Sequence, residues 1–148
     1  MTTARRLLLT AILLASLAVT ACGGGSTSAA GSWYGQGTAS PGGHQFAEYM
    51  TLTQDNNGQL TGTGMLCNRQ DGEVITGHGT IFGTINSGNL ALQASTTDHL
   101  SVQGSLAGNM SNGAIHLATQ QPVNGESATL TLQKGSQSDF TSLCNKLP

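Results

Sequence analysis

The side chains that could do chemistry are few: His44, His78, His99 and His116, Cys22, Cys67 and Cys144, and the carboxylates Glu48 and Asp55. A metal site needs ligands at short, repeated spacing. The histidines make no HxH, HxxE or HExxH, and the cysteines make no CxxC, so no metal site is expected. His78 and His116 fall in strand-like segments, and His116, between Ile115 and Leu117, points away from the apolar face toward solvent. General acid–base chemistry needs two carboxyls converging on one bond, whereas Glu48 sits on a strand and Asp55 in a turn, with no pairing implied by their spacing. Nucleophile elbow, P-loop, dinucleotide fingerprint and EF-hand loop are all missing. The expectation is a protein with no catalytic residue, no metal and no cofactor.

Composition narrows the class. The chain has 148 residues, enough for one domain, with 8% charged residues and 21 glycines. Lys and Arg total 5 against 7 Asp and Glu, so clustered cations for phosphate neutralisation are absent and no nucleic-acid partner is expected. The residues that build long charged helices are equally scarce.

Residues 1–21 divide into a positive start (Arg5, Arg6), an apolar run over residues 7–19, and the small pair Thr20-Ala21. The run is too short for a permanent span of a ~30 Å hydrocarbon core and reads as a secretory signal, with a retained N-terminal anchor as the alternative. Val19-Thr20-Ala21-Cys22 resembles the lipobox of bacterial lipoprotein precursors: an aliphatic residue, two small ones and an obligatory cysteine. The resemblance implies a diacylglyceryl group on the Cys22 thiol, cleavage just before it and acylation of the new amine. Membrane attachment is then by acyl chains, of which two or more hold stably. Gly23 in place of Asp after the cysteine implies, by the same resemblance, onward transport to the outer membrane. Residues 22–31 read as the lipidated cysteine and a flexible Gly/Ser tether of roughly 17 Å, and residues 32–148 as the folded domain. Without the signal, Arg69, Lys134 and Lys146 stand against seven acids, a net charge of −4.

With Cys22 acylated, Cys67 and Cys144 remain, and an exported chain with one residual pair is expected to form a disulfide. A metal-bound or catalytic thiol is the alternative, though further ligands at short spacing are lacking. Closing that long loop would stabilise the fold by roughly 4 kcal/mol in the chain-entropy model.

From Ser32 onward the apolar period is two. Phe46, Met50 and Leu52 alternate with Ala47, Tyr49, Thr51 and Thr53, and the Asp55-Asn56-Asn57-Gly58 and Arg69-Gln70-Asp71-Gly72 segments read as turns. Strands are expected over residues 32–38, 44–54, 59–68, 74–85, 89–95, 99–108, 114–119 and 128–134. Residues 79–95 and 104–120 repeat without a gap: Gly83 matches Gly108, Gly88 matches Gly113, and Leu92 matches Leu117. One repeat fits one hairpin, and the pattern predicts an all-β, antiparallel up-and-down barrel of about eight strands. Glycines along the strands suggest bulges and sharp coiling. Ser138 or Asp139 can cap a short C-terminal helix with Phe140, Leu143, Cys144 and Leu147 on one face, crossing a barrel end or side. The few aromatics form no girdles, so the outer face suits water rather than lipid.

Gly31-Ser32-Trp33-Tyr34-Gly35 and the segment over residues 58–63 resemble calycin-type barrels of the avidin and lipocalin kind. The Cys-Gly-Gly-Gly tether before a Gly-rich barrel is similar to Gram-negative surface lipoproteins that bind host factors. These resemblances imply a barrel whose early Trp33 closes one end, and a cell-envelope binding or interaction module. The alternatives are a carrier of a small apolar ligand, with Trp33, Phe46 and Met50 as lining residues, and an inhibitor of a periplasmic enzyme that uses an exposed loop.

Overall fold

The computed structural model describes residues 28–96 and 103–148. Cys22, the signal and the tether up to residue 27 lie outside the described residues, as does His99. The chain forms eight strands: β1 Gly31–Ser40, β2 His44–Gln54, β3 Gln59–Gln70, β4 Glu73–Asn86, β5 Asn89–Thr96, β6 Gln103–Ser111, β7 Ala114–Thr119 and β8 Ser127–Lys134, followed by helix α1 Gln137–Cys144. They close into one antiparallel barrel in chain order, with β1 paired to β8. Of the expected sixth strand, residues 99–102 lie outside the description.

Tight turns make this meander possible. Ser87-Gly88 and Asn112-Gly113 have positive φ at both positions, the geometry whose twist matches paired strands. Those turns, with the Gly58 turn, gather at one end, the floor. Hydrogen bonds lace them to the next hairpin: the Ile85 amide donates to the Gly58 carbonyl, and the Met110 amide to the Gly88 carbonyl, each at 2.8 Å.

The strand glycines act differently from the sequence expectation. Every ladder runs in unbroken register, so they mark no bulge. They instead allow close approach: a Cβ on Gly35, Gly62, Gly83 or Gly108 would lie 1.9, 2.0, 2.0 or 1.7 Å from a backbone carbonyl oxygen of the neighbouring strand. Each faces a leucine across its ladder: Gly35–Leu132, Gly62–Leu52, Gly83–Leu92 and Gly108–Leu117. These pairs fall at every second interface around the barrel, so four buried leucines share the space left by four missing side chains. The repeated Gly83/Gly108 and Leu92/Leu117 of the sequence are two of these pairs.

Outside the wall a second apolar cluster forms. Ala47, Tyr49, Cys67 and Met65 project outward from β2 and β3 and are covered by Phe140, Leu143, Cys144 and Leu147. Helix α1 therefore lies along the barrel side. Cys67 and Cys144 form the expected disulfide, with Cα atoms 6.1 Å apart. The helix cap is Ser136 rather than the expected Ser138 or Asp139: its Oγ accepts from the Asp139 amide while the Asp139 carboxylate accepts from the Ser136 amide at 2.8 Å. No helix among the described residues is long and apolar enough to cross a membrane.

Candidate functional site

The two ends of the barrel are built from different side chains. At the floor, Trp33 is 1% exposed, and its indole N–H donates to the Ala29 carbonyl at 2.8 Å. Ala29, fully buried, donates its own amide to Gln54 Oε1 at 2.9 Å. Ala29 and Ala30, which the sequence placed in the tether, thus pack against the barrel, and Ala29 supplies the acceptor that the Trp33 N–H needs when removed from water. Lys134, the last residue of β8, places Nζ 3.9 Å from the centre of a Trp33 ring and donates to the Ala30 carbonyl. Desolvation pulls the Lys134 pKa below its usual value.

At the other end the core stops short. A cavity of about 880 Å³ opens between the Gly42-Gly43 turn, the Asp71-Gly72 turn and the β7–β8 connection. Its deeper wall is apolar, with Phe46, Leu66, Ile81, Leu106 and Leu130. The cavity exists because small residues replace large ones where the strands reach this end: Gly64, Gly79, Ala94 and Gly104 also line it. The Phe46 ring lies flat against the wall in the space of a missing side chain, since a Cβ on Gly37 would meet its Cζ at 2.2 Å.

Among the polar residues of the lining, Glu48 and Asn68 stand out. Strand β2 puts Phe46, Glu48, Met50 and Leu52 on the inner face by simple alternation. Glu48 is half-buried in the cavity, and burial raises its carboxyl pKa from 4.5 to about 7. No hydrogen bond or ion pair from a described residue reaches that carboxyl. Asn68 lies diagonally across on β3, opposite Phe46, while Leu66 is opposite Glu48. Its Oδ1 is buried and lacks a hydrogen-bond partner. Diagonal neighbours on one sheet face stand roughly 7–8 Å apart.

Of the residues expected to line a cavity, Phe46 does. Trp33 and Met50 are packed in the closed part of the core, fully removed from solvent. Sequence reasoning set Glu48 against Asp55 and passed over its neighbours two positions away, Phe46 and Met50, which mark it as inward-facing. Asp55 is a turn residue at the floor end, its Oδ1 accepting from the Asn57 and Gln59 amides at 2.8 Å each. His116 is exposed, with Nδ1 3.2 Å from Thr131 Oγ1. Among the described residues no group of three His, Cys, Asp or Glu converges as a metal site.

The barrel thus has one plugged floor and one open mouth, with Glu48 on the inner face of β2 among apolar side chains. The sequence matches no protein-family model and no curated protein.

Proposed function

We propose that this protein is a lipid-anchored bacterial envelope module whose barrel, without catalysing a reaction, takes up a small and largely apolar ligand through its open end. The observation that carries the reading is the cavity of about 880 Å³, well within the size of pockets that enclose small molecules. A barrel fully packed from end to end would have left only its outer wall for recognition. The anchor rests on Val19-Thr20-Ala21-Cys22, and the attachment to the membrane is through acyl chains on Cys22.

A second reading, an interaction module or enzyme inhibitor that works through the outer wall, is favoured by Phe82, an aromatic 49% exposed on β4.

Native mass spectrometry of the protein exported by a bacterium separates the two. A retained adduct that is lost on unfolding supports the cavity reading and identifies the ligand class. An empty barrel that also takes up no apolar probe removes it and directs attention to the outer wall. Mass analysis of the same sample tests the anchor: an acylated N-terminal Cys22 is expected, and an unprocessed or unmodified residue 22 overturns that part.

A further inference from the structure

The cavity has one property that its size alone does not supply: two of the side chains that line it, Glu48 and Asn68, carry acceptor oxygens to which no described residue donates. Asn68 Oδ1 is buried without a partner. A native interior rarely tolerates such a group, because losing water without gaining a donor costs about 1–3 kcal/mol. The Glu48 carboxyl, on the adjacent strand, is likewise unpaired among the described residues. The charges around the mouth do not compensate. His44 on β2, Arg69 on β3, Asp71 in the β3–β4 turn and Glu126 in the β7–β8 connection border the cavity, and β1 contributes no charge. Arg69, the one permanent cation of the set, is exposed and directs a guanidinium N–H to the Asn145 carbonyl at 3.4 Å, beyond the end of α1. Lys134 is held at the opposite end of the barrel by Trp33 and the Ala30 carbonyl.

We infer that the ligand has an apolar body and a single protonated amine, the body packing on Phe46, Ile81 and Leu106 and the amine donating to the Glu48 carboxylate. This rests on the ligand-binding reading above and names the ligand class. An ammonium brings N–H donors and a positive charge, which is what an unpaired carboxylate in an apolar wall lacks. A neutral alcohol would donate a hydrogen bond without compensating the charge, and a carboxylate ligand would bring a second negative charge beside Glu48. The amine also sets the pH response. Glu48 must ionise to pair with it, and with a carboxyl pKa of about 7 that happens across neutrality, while an alkylamine stays protonated until about pH 10.

The test uses the full chain in phosphatidylcholine nanodiscs, with empty discs subtracted, and two probes that share one apolar body: 2-phenylethylamine and 2-phenylethanol. By equilibrium dialysis at about pH 8 the amine is expected to bind at least about tenfold more tightly than the alcohol, and at about pH 5 the advantage is expected to vanish, because Glu48 is then protonated. Glu48→Gln is expected to abolish the advantage of the amine over the alcohol at about pH 8. The pH profile of the unaltered protein gives the same answer with no variant to fold. Equal binding of the two probes at about pH 8, or an advantage that survives at about pH 5, overturns the inference and leaves the cavity reading standing. Binding of neither probe above empty discs overturns both.

Discussion

The floor and the mouth of this barrel are made by the same eight strands, and they differ in how completely each end satisfies what it buries. At the floor, Lys134 has a carbonyl and an aromatic face, the Trp33 N–H has the Ala29 carbonyl, and four leucines fill the space opposite four glycines. At the mouth, Asn68 Oδ1 and the Glu48 carboxyl are without donors among the described residues, and the small residues Gly64, Gly79, Ala94 and Gly104 line the cavity. The strands are long enough for a core throughout. The difference lies in which inward positions carry leucine and which carry small or polar residues. Packing at one end supplies the stability that an unfilled, under-satisfied cavity at the other end draws on, the usual relation between a scaffold and its site.

The largest effect is expected where the floor is tightest. A Cβ on Gly108 would lie 1.7 Å from the His116 carbonyl oxygen and 2.9 Å from the Leu117 Cα, both backbone atoms that cannot rotate away. Gly108→Ala must therefore push β6 and β7 apart and lose ladder hydrogen bonds. A loss of at least about 3 kcal/mol is expected, read from the urea midpoint followed by fluorescence of Trp33, the single tryptophan. A midpoint within experimental error of the unaltered protein would show that the Gly–Leu layer is not what closes the barrel.

A smaller effect, of opposite sign, is expected at the mouth. The folded pKa of Glu48, about 7, lies above its unfolded value of 4.5, so the carboxyl favours the fold when protonated. That contribution is fully present below about pH 4.5 and is lost as the pH rises through about 7. Gln mimics the protonated acid at every pH. Glu48→Gln should equal the unaltered protein in stability near pH 4 and exceed it by roughly 3 kcal/mol at most near pH 8. Comparing the two chains at each pH cancels the titration of every other group. Parallel stability curves across that range would mean that solvent or an unseen partner keeps the Glu48 carboxylate as comfortable folded as unfolded. The site would then lose its claim to be strained.

The two ends also differ in how readily a reader of the sequence could have drawn them. Strand alternation, Asn-Gly and Asp-Gly turns and the repeat of residues 79–95 in 104–120 carry the barrel, because each is a local consequence of backbone geometry. The pairing of Gly83 with Leu92 and of Gly108 with Leu117 was present in that repeat as matched positions, yet its meaning, close approach in place of bulges, needs the register. The helix face with Phe140 and Cys144 was legible from its spacing. Its cap was misplaced because Ser136, Ser138 and Asp139 are all good caps, and only the reciprocal Ser136–Asp139 bonds select one. Glu48 was readable by parity with Phe46 and Met50. Asn68 was not: whether its amide oxygen finds a donor depends on a void bounded by strands far apart in the chain. Lys134 over Trp33 is equally non-local, since only the closing β1–β8 ladder brings the two together.

The comparison is sharpest within one strand. Gly104 and Gly108 both lie on β6 and differ only in which end of the barrel they serve. A Cβ on Gly104 meets a single atom, Val123 Cγ2, at 3.3 Å, a side-chain methyl that can move by a few tenths of an ångström. Its φ is not positive, so alanine fits the backbone and lowers the entropy of the unfolded chain. Gly104→Ala is expected to leave stability unchanged or raise it by up to about 1 kcal/mol in the same urea measurement, while the identical change at Gly108 destabilises. Because Gly104 lines the cavity, the added methyl should cost the 2-phenylethanol probe a few-fold in affinity and cost the amine by the same factor, since it touches the apolar body and not the charged group. A substantial loss of stability at Gly104 would mean that the mouth is as tightly packed as the floor, and the division of the barrel into a closed end and a receptive one would fail on that strand.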